Sequence, residues 1–310
     1  MKSVFVINGF LDSGKTQFIS YTIGQPYFKT KGTTLLIVCE EGEEEYDEML
    51  LRATNTQVVI AEDESDISPD KLMELDKKYK PSRIIIEYNG MWNYKNFKLP
   101  FLWKLEQQIT LINAANFELY YTNMRSLFAE MLRKSELIIF NRCDNLTSKL
   151  AGYKRNVKAL NQMAEIVFED KDGEVNMTLE EELPFDVSKD LIELNEDTYG
   201  VWYIDTLDNP ERYKGKKVSF VASVLVPGDF AKGYFVPGRM IMTCCAEDIQ
   251  FLGLPCKYAD ADKLENRSWV NVTATVGFEY FEGYKGEGPM LIADTIVPCK
   301  APANEVLSFN

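Results

Sequence analysis

The chain has 310 residues and 45% apolar content, long enough for two domains that each bury their own core. Its formal net charge of −14 disfavours general nucleic-acid binding, because an acidic protein repels a phosphate backbone unless basic residues cluster locally. Histidine is absent, which excludes every Cys/His zinc site and every histidine base, and the six cysteines form no disulfide framework, so thiols or metal ligands are expected. No run reaches the roughly 18 uncharged apolar residues of a membrane span. Met1-Lys2-Ser3 leads straight into a short apolar strand without a signal-peptide pattern, so a cytoplasmic location is expected.

In chain order, the first half alternates β-branched runs with helical patterns. Strands are predicted over 3–8, 33–40, 56–61, 82–88, 108–114 and 136–141, and helices over 14–23, 69–79, 119–134 and 149–164. This alternation predicts an α/β domain with a mainly parallel sheet over 1–172. The acidic, turn-rich stretch EDKDGEVNMTLEEELPFD marks a change of texture, and 173–204 is read as a linker. From 205 to 310 the chain is strand after strand (KVSFVASVLV, YFVPGRMIMTCCA, WVNVTATVGFEYF, PMLIADTIV), which fits a small all-β, OB-like barrel by strand count. No internal repeat is present.

The first predicted strand runs into Gly9-Phe10-Leu11-Asp12-Ser13-Gly14-Lys15-Thr16, which fits G-x-x-x-x-G-K-[ST] at every fixed position. In such a P-loop the backbone N–H groups of Gly9, Asp12, Ser13 and Gly14 and of the helix start at Gln17 converge on phosphate oxygens. Lys15 reaches the β/γ-phosphates and the Thr16 hydroxyl ligates Mg²⁺. Asn141-Arg142-Cys143-Asp144, at the end of a predicted strand, matches the N-K-x-D element except for Arg142. There an aspartate accepts from the N1–H and 2-amino group of guanine, which adenine cannot supply. The aliphatic stem of Arg142 can lie along the base as lysine would. Two acidic elements lie between these motifs. One is Cys39 to Asp47 after the second strand, where Glu40 is a candidate Mg²⁺ ligand and Glu44, Glu45 and Glu48 read as solvated surface. The other is Glu87 at the end of Ile84-Ile85-Ile86-Glu87, positioned for a cation or an attacking water, with Gly90 following. Lys15, Glu40 and Glu87 are therefore the candidate catalytic residues.

These four elements in this order resemble the CobW-type (CobW/HypB/UreG-like) GTPases, relatives of the nickel-insertion GTPases of urease and hydrogenase. The family pattern G-F-L-x-x-G-K-T is met by Gly9 to Thr16, including Phe10 and Leu11. N-E-F-G-E-x-x-x-D is met at Glu40, Gly42, Glu43 and Asp47, and E-[TS]-[TS]-G at Glu87 and Gly90. V-D-A is similar to Ile112-Asn113-Ala114, and Asn141 to Asp144 follows. The resemblance spans about residues 1–170 and implies a GTP/GDP-binding domain with Mg²⁺-dependent hydrolysis, linked to metal homeostasis or metallochaperone-type delivery. The family's usual C-x-C-C metal motif is missing, since no cysteine lies between Cys39 and Cys143.

The second half resembles the soluble domain of an uncharacterised bacterial family that pairs with a predicted permease. The resemblance is carried by Tyr213-Lys214-Gly215-Lys216-Lys217-Val218, by Arg239-x4-Cys244-Cys245-x2-Asp248, and by Gly253-Leu254-Pro255 with Trp269-Val270-x-Val272. Adjacent cysteines on a strand face opposite ways. Cys244 and Cys245 are either two small buried residues or part of a thiolate site for zinc or another soft metal. Phe278, Tyr280, Phe281 and Tyr284 offer an aromatic surface but no basic groove, so packing or partner contact is expected there and nucleic acid is not.

The partners expected are thus GTP/GDP, with a metalloprotein client or a membrane permease, and a homodimer is compatible with the pattern. Two functional classes stay open: a GTPase switch acting on its C-terminal domain or a partner, and a non-hydrolysing, nucleotide-gated metal-binding or permease-regulating module. A P-loop kinase is disfavoured by Asn141 to Asp144 and by the lack of an acceptor lid.

Overall fold

The computed structural model describes residues 2–40, 42–175, 183–228, 230, 232–243 and 248–308. They divide into two compact units, Met1–Glu180 and Glu181–Asn310.

The first unit is built on β1 (Lys2–Asn8), α1 (Lys15–Gly24), β2 (Thr34–Val38), α2 (Glu48–Ala53), β3 (Thr56–Ile60), α3 (Pro69–Tyr79), β4 (Arg83–Glu87) and β5 (Trp103–Asn113). It continues with α4 (Phe117–Asn123), α5 (Arg125–Leu132), β6 (Leu137–Asn141), α6 (Thr147–Leu160), β7 (Glu165–Asp170) and β8 (Gly173–Glu174). The sheet order is β3-β2-β4-β1-β5-β6-β7-β8. Every pairing is parallel except β7–β8. The fold is a P-loop NTPase-like α/β domain, as the alternation of elements predicts.

All residues of β2 and β4 are buried. Strands covered on both faces need no polar side, so they read in sequence as unbroken apolar runs. Alternate side chains still separate into two cores. Val4, Val6, Leu35, Ile37, Ile84 and Ile86 pack in one cluster, while Ile7, Leu36, Val38 and Ile85 join Ile19 and Ile23 of α1 in another. A third cluster under α4, α5 and α6 gathers Phe117, Phe128, Phe140 and Tyr153. Pro69 opens α3 at a position whose N–H needs no intrahelical partner. The predicted helix 119–134 is divided by Met124 into α4 and α5.

The second unit contains β9 (Leu191–Glu193), α7 (Tyr199–Asp208), β10 (Lys217–Leu225), β11 (Tyr234–Met242), β12 (Ile249–Gly253), β13 (Cys256–Lys257), β14 (Trp269–Phe281), β15 (Gly286–Pro298) and β16 (Val306–Ser308). It is strand-rich, as predicted. β10 pairs with β14, β14 with β15, β15 with β13, β13 with β11 and β11 back with β10, so five strands close a ring. Val218, Phe220, Ala222 and Val224 of β10 alternate inward, matched by Val270, Val272, Ala274 and Val276 of β14.

The stretch 173–204 differs from the expected linker. Residues 191–193 form β9, parallel to β10, and 199–204 begin α7. Tyr199 and Trp202 of α7 pack on Phe220 at ring distances of 5.1 and 5.4 Å. Every residue from Tyr199 to Thr206 is buried, which makes this helix a core element.

Candidate functional site

The site lies at the carboxyl ends of the parallel strands, where β1 sits between β4 and β5 and connections leave in opposite directions. Open α/β sheets leave a crevice at such a point. A cleft of about 290 Å³ opens there, lined by residues of the Gly9–Thr16 loop, Gln17, Glu40, Gly42 to Glu44, Glu87 and Arg142.

The loop leaves β1 at Gly9, whose φ of 142° and close approach to Leu111 O and Ser13 Oγ leave no room for a side chain. Gly90 closes the other wall. A Cβ there would stand 2.5 Å from Gly9 O, so the backbone after β4 packs directly on the loop. Gly14 adopts φ 88° and starts α1, aiming the helix N-terminus at the cleft.

Lys15 is almost fully buried (4% exposed). Its Nζ donates to Gly9 O and Phe10 O, each at 2.9 Å, and to Glu40 Oε2 at 2.7 Å. Glu40, expected near a divalent cation, is thus the anionic partner of the P-loop lysine here. Thr16 Oγ1 donates to Glu87 Oε1 at 2.8 Å, and the Tyr46 hydroxyl donates to Glu87 Oε2 at 2.5 Å. Burial holds the Glu87 carboxyl above the usual carboxylate range, and the two hydroxyls and Lys15 pull against that shift. Burial, reinforced by the Glu87 charge, keeps Tyr46 protonated. The Cys39 thiol, at the end of β2, is pushed up to about 12 by burial and then by Glu87, which makes it an unreactive core group.

The Asn141 to Asp144 element joins this site through its first two residues. Asn141 Nδ2 donates to Ser13 O at 2.7 Å, and Arg142 Nη1 donates to Asp12 O at 3.1 Å. Cys143 points away into the core, while Asp144 is exposed and does not line the cleft. Gln17 is exposed and bonds Glu44 at 3.0 Å. Four buried side-chain polar atoms at or beside the loop have no partner among the described residues: Asn8 Nδ2 and Oδ1, Ser13 Oγ and Asn141 Oδ1. Unpaired buried groups are costly, and beside a cleft they mark where a ligand or ordered water supplies the missing bonds.

The cleft lining holds Asp12, Glu40, Glu43, Glu44 and Glu87 against Lys15 and Arg142. Such a donor set fits a hard divalent cation accompanying a polyphosphate, because the oxygens are hard ligands and the surplus acid repels the bare phosphate. Among the described residues, no group of three or more Cys, Asp or Glu is placed to hold a metal by itself. Cys244 and Cys245, the candidate soft-metal ligands, lie outside the described residues. No helix among the described residues is long and apolar enough to cross a membrane.

Tyr46 escaped the sequence reading. It sits in an acidic run that reads as solvated, and its contact with Glu87 spans 41 residues. The one local signal is that it is the lone aromatic side chain between Cys39 and Asp47.

Residues 3–168 match the family model described as CobW/HypB/UreG, nucleotide-binding domain, and residues 169–306 match the DUF1980 C-terminal domain. Among solved structures, the chain is similar to the hydrogenase maturation factor HypB of Archaeoglobus fulgidus, with 16% identity and a TM-score of 0.42 over 55% of this chain and 82% of that one. The Zn(II)-bound YjiA GTPase of E. coli gives 20% identity and a TM-score of 0.40 over 57% of this chain and 60% of that one. HypB from Helicobacter pylori, in complex with nickel, gives 13% identity and a TM-score of 0.39 over 55% of this chain and 80% of that one. No curated protein matches the chain.

Proposed function

The chain belongs to the CobW/HypB/UreG nucleotide-binding family, and from that premise we propose that it is a GTP-binding protein with Mg²⁺-dependent GTPase activity. The observation that carries the reading is the convergence of Lys15, Thr16, Glu40 and Glu87 on one cleft, with Asn141 bonded to the loop that forms its floor. Phosphoryl transfer asks mainly for positioning and charge neutralisation, and these residues supply both.

The Gly9–Gly14 backbone and the α1 N-terminus hold the phosphates, and Lys15 grips them as Glu40 yields its place on the ammonium. Thr16 Oγ1 would hold Mg²⁺, with Glu40 and Glu87 as the nearby carboxylates, and the ion would neutralise phosphate charge there. Glu87 orients water at the cleft, and Asp144 reads the guanine edge while Asn141 and Arg142 fix its loop against Ser13 and Asp12. Turnover is slow, because among the described residues Arg142 is the one arginine in the lining and it is bonded to Asp12 O.

A second reading, binding without turnover, is favoured by the surplus of carboxylates in the lining, which leaves little positive charge for the transferring group. In either case we place the nucleotide domain at 1–172 and the β-domain at 205–310, and we assign the five-strand ring to the OB type on its pairing order. Of its aromatic residues Phe281 serves packing, in contact with Phe230, Tyr234 and Tyr284, while Tyr280 is exposed and left for partner contact. The link to metal delivery, to a client or permease and to a homodimer is proposed from the two families alone.

GTP turnover by wild type and Lys15→Ala across Mg²⁺, Mn²⁺ and Zn²⁺ tests the assignment. Hydrolysis that needs Lys15 supports the GTPase, and Lys15-dependent binding with no turnover under any metal replaces it with the second reading.

A further inference from the structure

Within the exposed acidic run 42–47, Tyr46 is the single residue that turns inward. Its ring packs against the α1-side core with Leu50 and Leu51 of α2. The next residue, Asp47, caps α2 by accepting from Met49 N at 2.8 Å. The position of the hydroxyl is therefore fixed by a helix start and a core contact rather than by an exposed loop. It meets Glu87, which is 2% exposed, and the other Glu87 oxygen accepts from Thr16.

The carboxylate is thus held by two hydroxyls, one on each oxygen. A hydroxyl has one proton to donate and lone pairs to spare, so Thr16 can keep its bond to Glu87 while offering oxygen to a cation. Glu87 gains no direct cation bond in this arrangement, since Lys15 is committed to Glu40, Gly9 O and Phe10 O. The Tyr46 hydroxyl is what fixes the far side of the carboxylate.

We propose that Tyr46 is a positioning residue: it holds Glu87 against Thr16 and so couples the 40–47 segment to Mg²⁺-dependent nucleotide binding. The inference rests on the nucleotide-site reading above and adds to it a residue and a coupling. A tyrosine with a purely structural role would also find a buried partner for its hydroxyl. The two roles separate in the metal dependence.

The test is equilibrium binding of a fluorescent GDP analogue to the full chain, in excess Mg²⁺ and in EDTA. Wild type should bind more tightly with Mg²⁺, and Tyr46→Phe, which keeps the ring, should lose about tenfold of that gain while binding in EDTA stays within about twofold. Glu87→Gln should lose the gain to a similar degree, and the double variant should lose no more than the stronger single one, because both act through one contact. Tyr46→Leu should match Tyr46→Phe in coupling while melting at a lower temperature. A Tyr46→Phe protein that responds to Mg²⁺ as wild type does, or additive losses in the double variant, would overturn the inference and leave the nucleotide site standing. A wild type that binds no guanine nucleotide would overturn both.

Discussion

Glu87 in the first unit and Asp205 in the second are the same kind of feature by simple measures. They are 2% and 3% exposed, and each accepts from a tyrosine hydroxyl, Tyr46 and Tyr213 respectively. Their surroundings differ. Asp205 also accepts from Arg212 Nη1 and Asn209 Nδ2, both at 2.6 Å, so a cation and two neutral donors close the cluster on itself. Glu87 accepts from hydroxyl donors and opens on a cleft. Burial with a tyrosine partner therefore does not identify a functional acid. What sets Glu87 apart is that it opens on a cleft where a ligand can reach it, whereas Asp205 is closed in by its own donors.

The largest expected effect separates the units by function. Lys15→Ala should lower GTP turnover at least about 100-fold by removing the group that neutralises phosphate charge, with the second unit's unfolding unchanged. Turnover unaffected by this change would move the activity elsewhere in the chain.

Next comes the crossed pair. Asp205→Ala leaves the Arg212 guanidinium without its buried partner and should cost about 3 kcal/mol of second-unit stability, read by thermal unfolding through Trp202 and Trp269 fluorescence. Nucleotide affinity should not follow. Glu87→Gln should show the reverse, with stability within about 1 kcal/mol because an amide relieves a buried charge, and weakened Mg²⁺-dependent binding. Finding both effects in both variants would erase the distinction between the two acids.

Asp144→Asn should reduce the preference for GTP over ATP about tenfold or more in competition assays, since the carboxylate no longer accepts from guanine. The smallest effect is chemical. Burial pushes the Cys39 and Cys256 thiols up to about 12, whereas Cys299 is exposed. Iodoacetamide at pH 8 should label Cys299 in the native chain and spare Cys39 and Cys256 until denaturation, as mapped by peptide mass.

The first unit was legible because its strands are buried on both faces and its loops carry fixed spacings. Leu35 to Val38 and Ile84 to Ile86 read as strands without any tertiary information, and Gly9 to Thr16 reads as a phosphate loop by the spacing of Gly9, Gly14, Lys15 and Thr16. The misses have physical causes. The helix at Tyr199–Asp208 is buried all round from Tyr199 to Thr206, so it shows no 3.6-residue apolar stripe, and it begins inside the expected linker. The strand at Glu165–Asp170 lies beyond β6 and keeps only Phe168 fully buried, which leaves a weak pattern. The Lys15–Glu40 and Tyr46–Glu87 contacts join residues 25 and 41 positions apart, so no local spacing encodes them.

The measurement that bears most directly on the central assignment is competition of unlabelled GTP and ATP against a fluorescent GDP analogue on the wild-type chain in Mg²⁺. The expected result is that GTP displaces the probe at concentrations where ATP does not. Equal displacement by the two nucleotides would contradict it.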